Sequence, residues 1–478
     1  MQLGCSGGLV AKGMAMSQPG RAGDAPIAAD IVGVGFGPSN LALAIAVEEH
    51  NDRVPVDAVV SATFLERQPA FGWHRGMLIE DATMQVCFIK DLVTLRNPSS
   101  SYGFLSYLHR NNRLLDFINH KSLYPLRIEF HDYLEWAAAK VTEFVTYGVQ
   151  VEEIRPVWRN GSVEAVDVLA VTPEGGTERR RARNLVLAVG LEPALPPTVE
   201  CGERVWHSHE LLPRVAAMGA AAPARFVVIG AGQSAAEATA FLHRRFPTAE
   251  VCAVFSRYGY SPADDSNFAN RIFDPSAVDE FFAAPAAVRR KLLDYHRNTN
   301  YSVVDQDLIE DLYGRMYQET VLGVQRLRLF NVSRVIDLVV GPDAVGVTVE
   351  SMMTGERTAL DADVAVYATG YRPVDPAPLL GELAEHCQYD EQGELRVLRD
   401  YRVATSSTVG CGIYLQGGTE QTHGISSSLL SNTAVRAGEI LESVVGRRHC
   451  DDGRRVEYAG ASGAAANRSG RAEVATRC

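Results

Sequence analysis

The sequence predicts an α/β protein with two parallel-sheet units, each of which opens with a short apolar strand, a glycine-rich turn and a helix. The first unit begins at Asp30 with D-I-V-G-V-G-F-G-P-S-N, and the second begins at Arg225 with R-F-V-V-I-G-A-G-Q-S-A. In both units the apolar run leads directly into glycines and then into a helical pattern. The 478 residues are too many for one compact core, so we expect two or three domains.

The first glycine-rich turn has the features of a dinucleotide cradle. Gly33 permits the tight turn, Gly35 lets backbone N–H groups approach a pyrophosphate at the helix N-terminus, and Gly37 follows as the third glycine. The apolar run 58–65 then ends in Glu66, where this fold places an acid that binds a ribose hydroxyl. This order of elements predicts a cradle more specifically than glycines alone, although a glycine turn without a ligand is the structural alternative.

The second turn repeats the arrangement with one informative change. Gly230 and Gly232 take the same roles as the first glycines, and Ala235 replaces the third glycine at the contact between helix and strand. The next apolar run, 250–256, ends in Arg257 instead of an acid. An arginine there suits the 2′-phosphate of NADP, whereas an acid would suit NAD, and a surface arginine is the alternative.

Two such units in one chain suggest that FAD is bound by the first and NADPH by the second. The buried runs 184–190 and 363–373 each end in a glycine turn, as expected where the chain leaves and re-enters the FAD-binding domain. The predicted fold class is therefore α/β, with two Rossmann-like dinucleotide-binding domains and a small, mostly helical substrate-binding region. The predicted segments are a flexible leader 1–27, the first part of the FAD-binding domain 28–204, the NADPH-binding domain with substrate-site segments 205–365, the return of the FAD-binding domain with the substrate site 366–446, and a disordered tail 447–478.

Composition excludes several classes of function. The net charge of −12 argues against a nucleic-acid partner or an anionic membrane surface, both of which need clustered positive charge. The eight cysteines form no C-x-x-C pair, so we expect neither a metal site nor a dithiol redox centre. No apolar run reaches the roughly 18 residues of a spanning helix, and no signal peptide is evident. We therefore expect a cytoplasmic protein with reduced thiols.

Several segments carry a family resemblance. These segments are FLERQ (64–68), FGWH (71–74), MQVCFIKDL (84–92), EFHDYLEW (129–136), DDSNFAN (264–270), NTNYSVV (298–304), ATGY (368–371) and THGISSSLLS (422–431). Through them the chain resembles the N-hydroxylating flavin monooxygenases, which comprise the ornithine N5-monooxygenases and their lysine N6 relatives, from about residue 28 to residue 445. Two departures are small: Asn267 stands where proline is common, and the stretch from Arg257 to Asn270 is one residue shorter than in some relatives.

The resemblance implies a role for individual residues. FAD is expected to be lined by the run Glu66 to His74, which includes Trp73, by Gln85 and Val151, and by the backbone of Ser428, Leu429 and Leu430. NADPH is expected at Gly232, Gln233, Ser234 and Ala235, with Arg257 at the 2′-phosphate. The amino acid substrate is expected to meet Lys90, Asn270, Asn300 and Ser431, of which Lys90 and Asn270 are the catalytic candidates.

The implied chemistry offers a physical reason for a lysine at position 90. A primary amine takes oxygen from a C4a-hydroperoxyflavin only when it is neutral, whereas solution amines with a pKa of about 10.4 are mostly charged at neutral pH. A cationic Lys90 within hydrogen-bonding reach, together with desolvation, would lower the pKa of the amine. Lys90 lies in the apolar segment 86–93, and the chain has only five lysines, so we expect it to be buried and functional instead of a solvated surface cation.

The other polar residues have simpler alternatives. Asn270 and Asn300 are also common turn residues, and Ser431, expected at the substrate carboxylate, is also suited to capping a helix. His423 precedes Gly424 near the flavin end, where an acid/base role is conceivable, but we expect a structural histidine.

The sequence favours L-ornithine as the substrate, with L-lysine as the alternative. These substrates differ by one methylene, worth only about 1–3 kcal/mol in an apolar pocket, and the preference rests on the similarity of segments 84–92 and 298–304 to the ornithine branch. The resemblance further implies O2 as co-substrate, a role in making a siderophore or a related natural product, and a homo-oligomer, commonly a tetramer.

Three rival classes share the glycine turns. The F-x-G-x-x-x-H-x-x-x-W fingerprint of other class B flavin monooxygenases is absent from the inter-domain segment, which reads ERVWHS at 203–208. A disulfide reductase would need a C-x-x-C pair. A non-catalytic nucleotide sensor would keep the cradles without a substrate site, and a purified protein that is colourless or inert to NADPH would favour it.

Overall fold

The computed structural model describes residues 28–219 and 223–451. The leader predicted for residues 1–27 lies outside the described residues, as do residues 452–478 of the predicted tail. The last helix continues to Asp451, past the predicted tail boundary at residue 447.

The described strands are β1 (Ala29–Val34), β2 (Ala62–Glu66), β3 (Val145–Tyr147), β4 (Gln150–Arg159), β5 (Ser162–Val171), β6 (Thr177–Leu187), β7 (Leu191–Pro193), β8 (Val205–His207), β9 (Arg225–Ile229), β10 (Glu250–Val254), β11 (Leu327–Phe330), β12 (Ser333–Val340), β13 (Val345–Ser351), β14 (Arg357–Ala362), β15 (Val364–Tyr367), β16 (Tyr371–Pro373) and β17 (Gly412–Leu415). The described α-helices are α1 (Pro38–Asn51), α2 (Phe104–Arg110), α3 (Leu114–His120), α4 (Arg127–Ala138), α5 (Leu211–Ala217), α6 (Gln233–Arg245), α7 (Pro275–Ala283), α8 (Ala286–Tyr295), α9 (Gln306–Leu322), α10 (Ala377–Leu380), α11 (Glu420–His423) and α12 (Thr433–Asp451).

The first sheet is built around β1 and the long strand β6. Strands β3, β2, β1, β6 and β17 run parallel, while the N-terminal half of β6 pairs antiparallel with β5, which pairs in turn with β4. Helices α1, α4 and α12 cover one face with a core that includes Leu41, Phe130 and Ile440. Strands β1, β6 and β17 therefore end at the same sheet edge, where the first glycine turn lies.

The second sheet is entirely parallel, in the order β11-β10-β9-β15-β8. Helix α6 covers one face, where Ala235 and Leu242 pack with Phe226 and Val228. The antiparallel sheet of β12, β13 and β14 covers the other face. Both faces of a parallel sheet must be covered because its strands are apolar on both sides.

The two sheets belong to separate domains that are joined twice. Strand β8, which begins at the predicted boundary of residue 205, pairs with β15 in the second sheet, and β17 returns to the first sheet. Between the domains β7 pairs antiparallel with β16. The predicted α/β fold with two Rossmann-like units is confirmed. None of the described helices has the length and apolar character needed to cross a membrane.

Candidate functional site

A continuous cavity of about 3610 Å³ is lined by both domains. A typical pocket for one small ligand measures roughly 300–1,000 Å³, so this cavity has room for several ligands at once. Most of the predicted site residues line it: Gly35, Gly37, Glu66, Trp73, His74, Gln85, Lys90, Val151, Gly232, Gln233, Ser234, Arg257, Asn270, Asn300, Ser428, Leu429, Leu430 and Ser431.

Gly33 and Ala235 do not line the cavity, although both were predicted to hold a dinucleotide. A Cβ on Gly33 would overlap the Phe64 ring on the neighbouring strand. Ala235 is fully buried in the contact between α6 and its sheet. The small size of these two residues therefore serves close packing beneath the turns and not direct contact with a ligand.

The first glycine turn is shaped for an anionic ligand. Gly35 has φ +82°, and a Cβ there would overlap the carbonyl oxygen of Ala188. Gly37 precedes α1 with an extended backbone, and within the described part of the chain no atom lies within 4 Å of a Cβ built on it and no side chain caps the helix. The first-turn N–H groups of α1 are thus available to a pyrophosphate, which the helix dipole also favours.

Gly35→Ala is expected to destabilise the cofactor-free protein by about 1–3 kcal/mol, because a left-handed backbone and a steric overlap are both imposed on the new side chain. Gly37→Ala is the matched control in the same turn, since its backbone is extended and its Cβ meets open space. Thermal unfolding of the two apoproteins measures the difference. Equal midpoints for the two variants would contradict this account of the turn.

Glu66 ends β2 and lies at the predicted place beside the turn. Its Oε2 accepts a hydrogen bond from the Phe36 backbone N–H at 2.6 Å, and its Oε1 accepts one from that of Gln68 at 2.8 Å. Each carboxylate oxygen can accept a further bond. The carboxylate therefore braces the turn and keeps free acceptor capacity for a ribose hydroxyl.

The cavity also contains buried hydroxyl groups that fit a polar ligand. Within the described residues, Thr419 Oγ1 and Ser427 Oγ are buried without a hydrogen-bond partner, and both residues line the cavity. Buried polar groups are rarely left unsatisfied in a functional state. Together with the uncapped N-terminus of α1, these donors fit FAD at this turn.

The second turn matches the first. Gly230 has φ +145°, and a Cβ there would overlap the Ala368 carbonyl oxygen, while Gly232 precedes an uncapped α6. Arg257 is half-buried beside it and donates from Nη1 to the Ser302 carbonyl at 2.7 Å. The described carboxylates form no ion pair with Arg257, so its remaining N–H groups are available to a phosphate.

A polar network that the sequence did not predict joins the two domains, and its Arg127–Glu237 pair is buried. Arg127, at the start of α4, donates from Nη1 and Nη2 to the two carboxylate oxygens of Glu237 on α6 at 2.7 and 2.6 Å. Asp305 Oδ2 accepts from Gln85 at 2.6 Å and from Gln233 at 3.0 Å. Gln85 and Gln233, predicted as ligands of different cofactors, thus share one carboxylate, and the network fixes the domains against each other.

The four predicted substrate residues line the same cavity. Lys90 is half-buried, with Nζ 5.6 Å from the centre of the Phe273 ring, and it forms no ion pair with the described carboxylates. Asn270 donates to the Asp265 carbonyl at 2.6 Å, and Ser431 is buried. Lys90 therefore lies in the cavity wall beside Phe273, and its expected burial and functional role stay predictions.

His423 has a structural environment. It is buried, stacks on Tyr401 at 4.2 Å, and bonds through its ring nitrogens with Thr422 Oγ1 at 2.8 Å and with the Arg399 carbonyl at 3.2 Å. Burial lowers the pKa of His423 to about 4, so the ring is neutral near pH 7. It does not line the cavity, which favours the predicted structural role.

Two parallel-sheet domains whose glycine turns face one shared cavity define a two-dinucleotide-binding protein with additional space for a small substrate. Comparison with known proteins narrows this class. The family described as L-lysine 6-monooxygenase/L-ornithine 5-monooxygenase matches residues 28–373. The chain belongs to this family, which confirms the resemblance that the sequence segments indicated.

Individual relatives match over most of their length. The L-ornithine N(5)-oxygenase of Arthrobotrys oligospora is 42% identical over 435 residues, which cover 87% of this chain and 88% of that protein. The L-ornithine N(5)-monooxygenase of Pseudomonas aeruginosa is 38% identical over 420 residues, which cover 87% and 93%. The structure is also similar to that of the ornithine N-hydroxylase from Kutzneria sp. 744 with reduced FAD, NADP⁺ and L-ornithine, with a TM-score of 0.85, 48% identity and coverage of 88% and 100%.

Proposed function

We propose that this protein is an FAD- and NADPH-dependent monooxygenase that hydroxylates the side-chain amine of L-ornithine. The observation that carries the proposal is the single cavity onto which both glycine turns and all four predicted substrate residues open. Relatives named for ornithine hydroxylation that match most of the chain support the same activity.

The chain provides a separate holder for each cofactor. The uncapped N-terminus of α1, the acceptor oxygens of Glu66 and the loop 428–430 would hold FAD. The uncapped N-terminus of α6 and the guanidinium of Arg257 would hold NADPH. When bound, these cofactors supply reducing equivalents and the activated oxygen derived from O2.

Lys90 binds the substrate in this proposal through the α-carboxylate. Its ammonium faces the cavity and has no carboxylate partner among the described residues. An amino acid brings a carboxylate of its own, and a charge-assisted hydrogen bond to it is stronger than a bond to a neutral amine. This assignment differs from the direct action on the amine that the sequence suggested, and the support for it is the lack of an ion pair between Lys90 and the described carboxylates.

The side-chain amine must then lose its proton to react. Removal from bulk water disfavours the charged form of an amine. The amide groups of Asn270 and Asn300 on the cavity wall can orient an uncharged amine, and they carry no negative charge that would hold the amine in its ammonium form. Orientation and exclusion of water are therefore the contributions of the chain at this end of the substrate.

A product assay tests the function directly. L-Ornithine, L-lysine and 1,4-diaminobutane are incubated separately with the enzyme, FAD, NADPH and O2, and the hydroxylamine product is quantified. The expected order of kcat/KM places ornithine first, with lysine lower by roughly 10- to 200-fold, which is the discrimination one methylene allows. The absence of hydroxylamine from every amine would contradict the proposal.

Three further expectations accompany this function. The product is proposed to enter a siderophore or a related natural product, and the enzyme is proposed to be cytoplasmic and homo-oligomeric, as a tetramer. Exposed apolar side chains on α3, Leu115 and Ile118, support self-association. Five cysteines are free thiols, which supports a reducing compartment: Cys87, Cys201, Cys252, Cys387 and Cys411.

A further inference from the structure

Arg436 on α12 is a buried cation next to the FAD-binding turn. Only 2% of its surface is exposed, yet the residue lines the shared cavity. Burial lowers the pKa of Arg436 from its ordinary value, because the charged form is desolvated, but a guanidinium remains protonated in proteins. The chain therefore holds a positive charge in its interior at the edge of the proposed cofactor site.

Among the described residues, the hydrogen-bond partners of Arg436 are all uncharged. Nη2 donates to Ser39 Oγ at 3.2 Å and to Thr433 Oγ1 at 3.3 Å, Nη1 donates to the Ser427 carbonyl, and Nε approaches Gln416 Oε1 at 3.5 Å. Ser39 lies in the first turn of α1. The guanidinium thus reaches from α12 to the glycine-turn helix and to the loop before Ser428.

A carboxylate close to Arg436 in the sequence, that of Glu439, is already paired with another arginine. Glu439 lies three residues further along α12, and both of its oxygens accept bonds from Arg399, at 2.8 and 3.0 Å. None of the described carboxylates forms an ion pair with Arg436. A buried charge without a counter-ion is costly, which is explained if the counter-ion arrives with a ligand.

We propose that the buried guanidinium of Arg436 is the counter-ion for a negative charge on bound FAD. This inference rests on the proposed function, because FAD is the anionic group expected at this turn. The partner is either the pyrophosphate, which is charged in both redox states, or the negative charge that the isoalloxazine gains on reduction. Hydrogen bonds also run from Arg436 through Gln416 to Asn40, whose Nδ2 donates to the Gly35 carbonyl at 2.7 Å. These bonds fix the position of the guanidinium relative to the first glycine turn.

A comparison of Arg436→Lys with Arg436→Gln distinguishes the contribution of the positive charge to FAD binding from that of hydrogen bonding. The FAD dissociation constants of both apoproteins are measured by fluorescence titration, with Arg447→Gln on the same helix as the control, because Arg447 lies away from the cavity. We expect Arg436→Gln to weaken FAD binding roughly 10- to 100-fold and Arg436→Lys to retain most of the affinity, in proportion to a charge-assisted contact. Equal affinities in the lysine and glutamine variants, together with equal midpoint potentials of the bound FAD, would overturn the inference and leave Arg436 as a structural tie.

The midpoint potential of the bound FAD identifies the partner. A lower potential in Arg436→Gln than in Arg447→Gln assigns the charge to the reduced isoalloxazine, whereas an unchanged potential with weakened binding assigns it to the pyrophosphate. If wild-type apoprotein does not bind FAD, the proposed function fails first. If the wild type binds FAD, and both Arg436 variants bind it equally well and hold it at the wild-type potential, only the inference about Arg436 fails.

Discussion

Lys90→Met is expected to lower kcat/KM for L-ornithine roughly 100-fold, because the substrate carboxylate loses a charge-assisted partner in a partly desolvated site. Oxidation of NADPH should continue while less hydroxylamine forms per NADPH, since the amine is no longer held in position. FAD binding should be unchanged. Steady-state assays of NADPH consumption and product formation measure the two effects side by side.

The diamine 1,4-diaminobutane, which has no carboxylate, distinguishes the two possible roles of Lys90, which are binding of the substrate carboxylate and direct action on the amine. If Lys90 binds the carboxylate, Lys90→Met should affect 1,4-diaminobutane much less than ornithine, and the preference between these substrates should largely disappear. Lys140→Met is a matched control, since Lys140 is also half-buried beside an aromatic ring, 3.7 Å from the centre of Tyr102, but lies outside the cavity lining. Equal losses with both substrates would instead assign Lys90 to the amine.

Arg257→Ala is expected to lower kcat/KM for NADPH roughly 10- to 100-fold, in line with the loss of charged hydrogen bonds to the 2′-phosphate. NADH lacks this phosphate, so its kcat/KM should change far less. The side chain also donates to Ser302, and a shift of that loop would affect both dinucleotides. The ratio between NADPH and NADH is therefore the quantity that reports on the phosphate contact.

Arg245→Ala is the matched control for Arg257. Arg245 is an exposed arginine at the end of α6 that does not line the cavity. Its substitution should leave the preference for NADPH unchanged. A loss of activity in Arg257→Ala that is the same for NADPH and NADH would contradict the role at the 2′-phosphate.

Features coded by neighbouring residues could be predicted from the sequence. The glycine turns, the acid at Glu66 and the arginine at Arg257 each follow a strand at short range, and their positions relative to the sheets agree with the predicted cradles. The family segments also identified residues that line one cavity although they lie far apart in the chain. Local pattern and resemblance were sufficient there because each motif is a continuous segment.

Features that depend on distant pairing could not be predicted. The contact between Arg127 and Glu237 joins residues 110 positions apart, and Asp305 connects glutamines from two domains. A charged residue on the buried face of α6 was a signal, but the sequence does not identify its partner. Arg436 was missed for the same reason, since a cation within an amphipathic helix pattern is ordinarily placed in solvent.

The central claim is that one cavity holds the amino acid with its carboxylate on Lys90 and its side-chain amine at the amides of Asn270 and Asn300. A crystal structure of this enzyme with FAD, NADP⁺ and L-ornithine measures it most directly. The account predicts an ornithine carboxylate oxygen about 2.7–3.2 Å from Lys90 Nζ, with the side-chain amine near the amides of Asn270 and Asn300. Ornithine bound elsewhere, with the Lys90 ammonium in bulk solvent, would contradict the account.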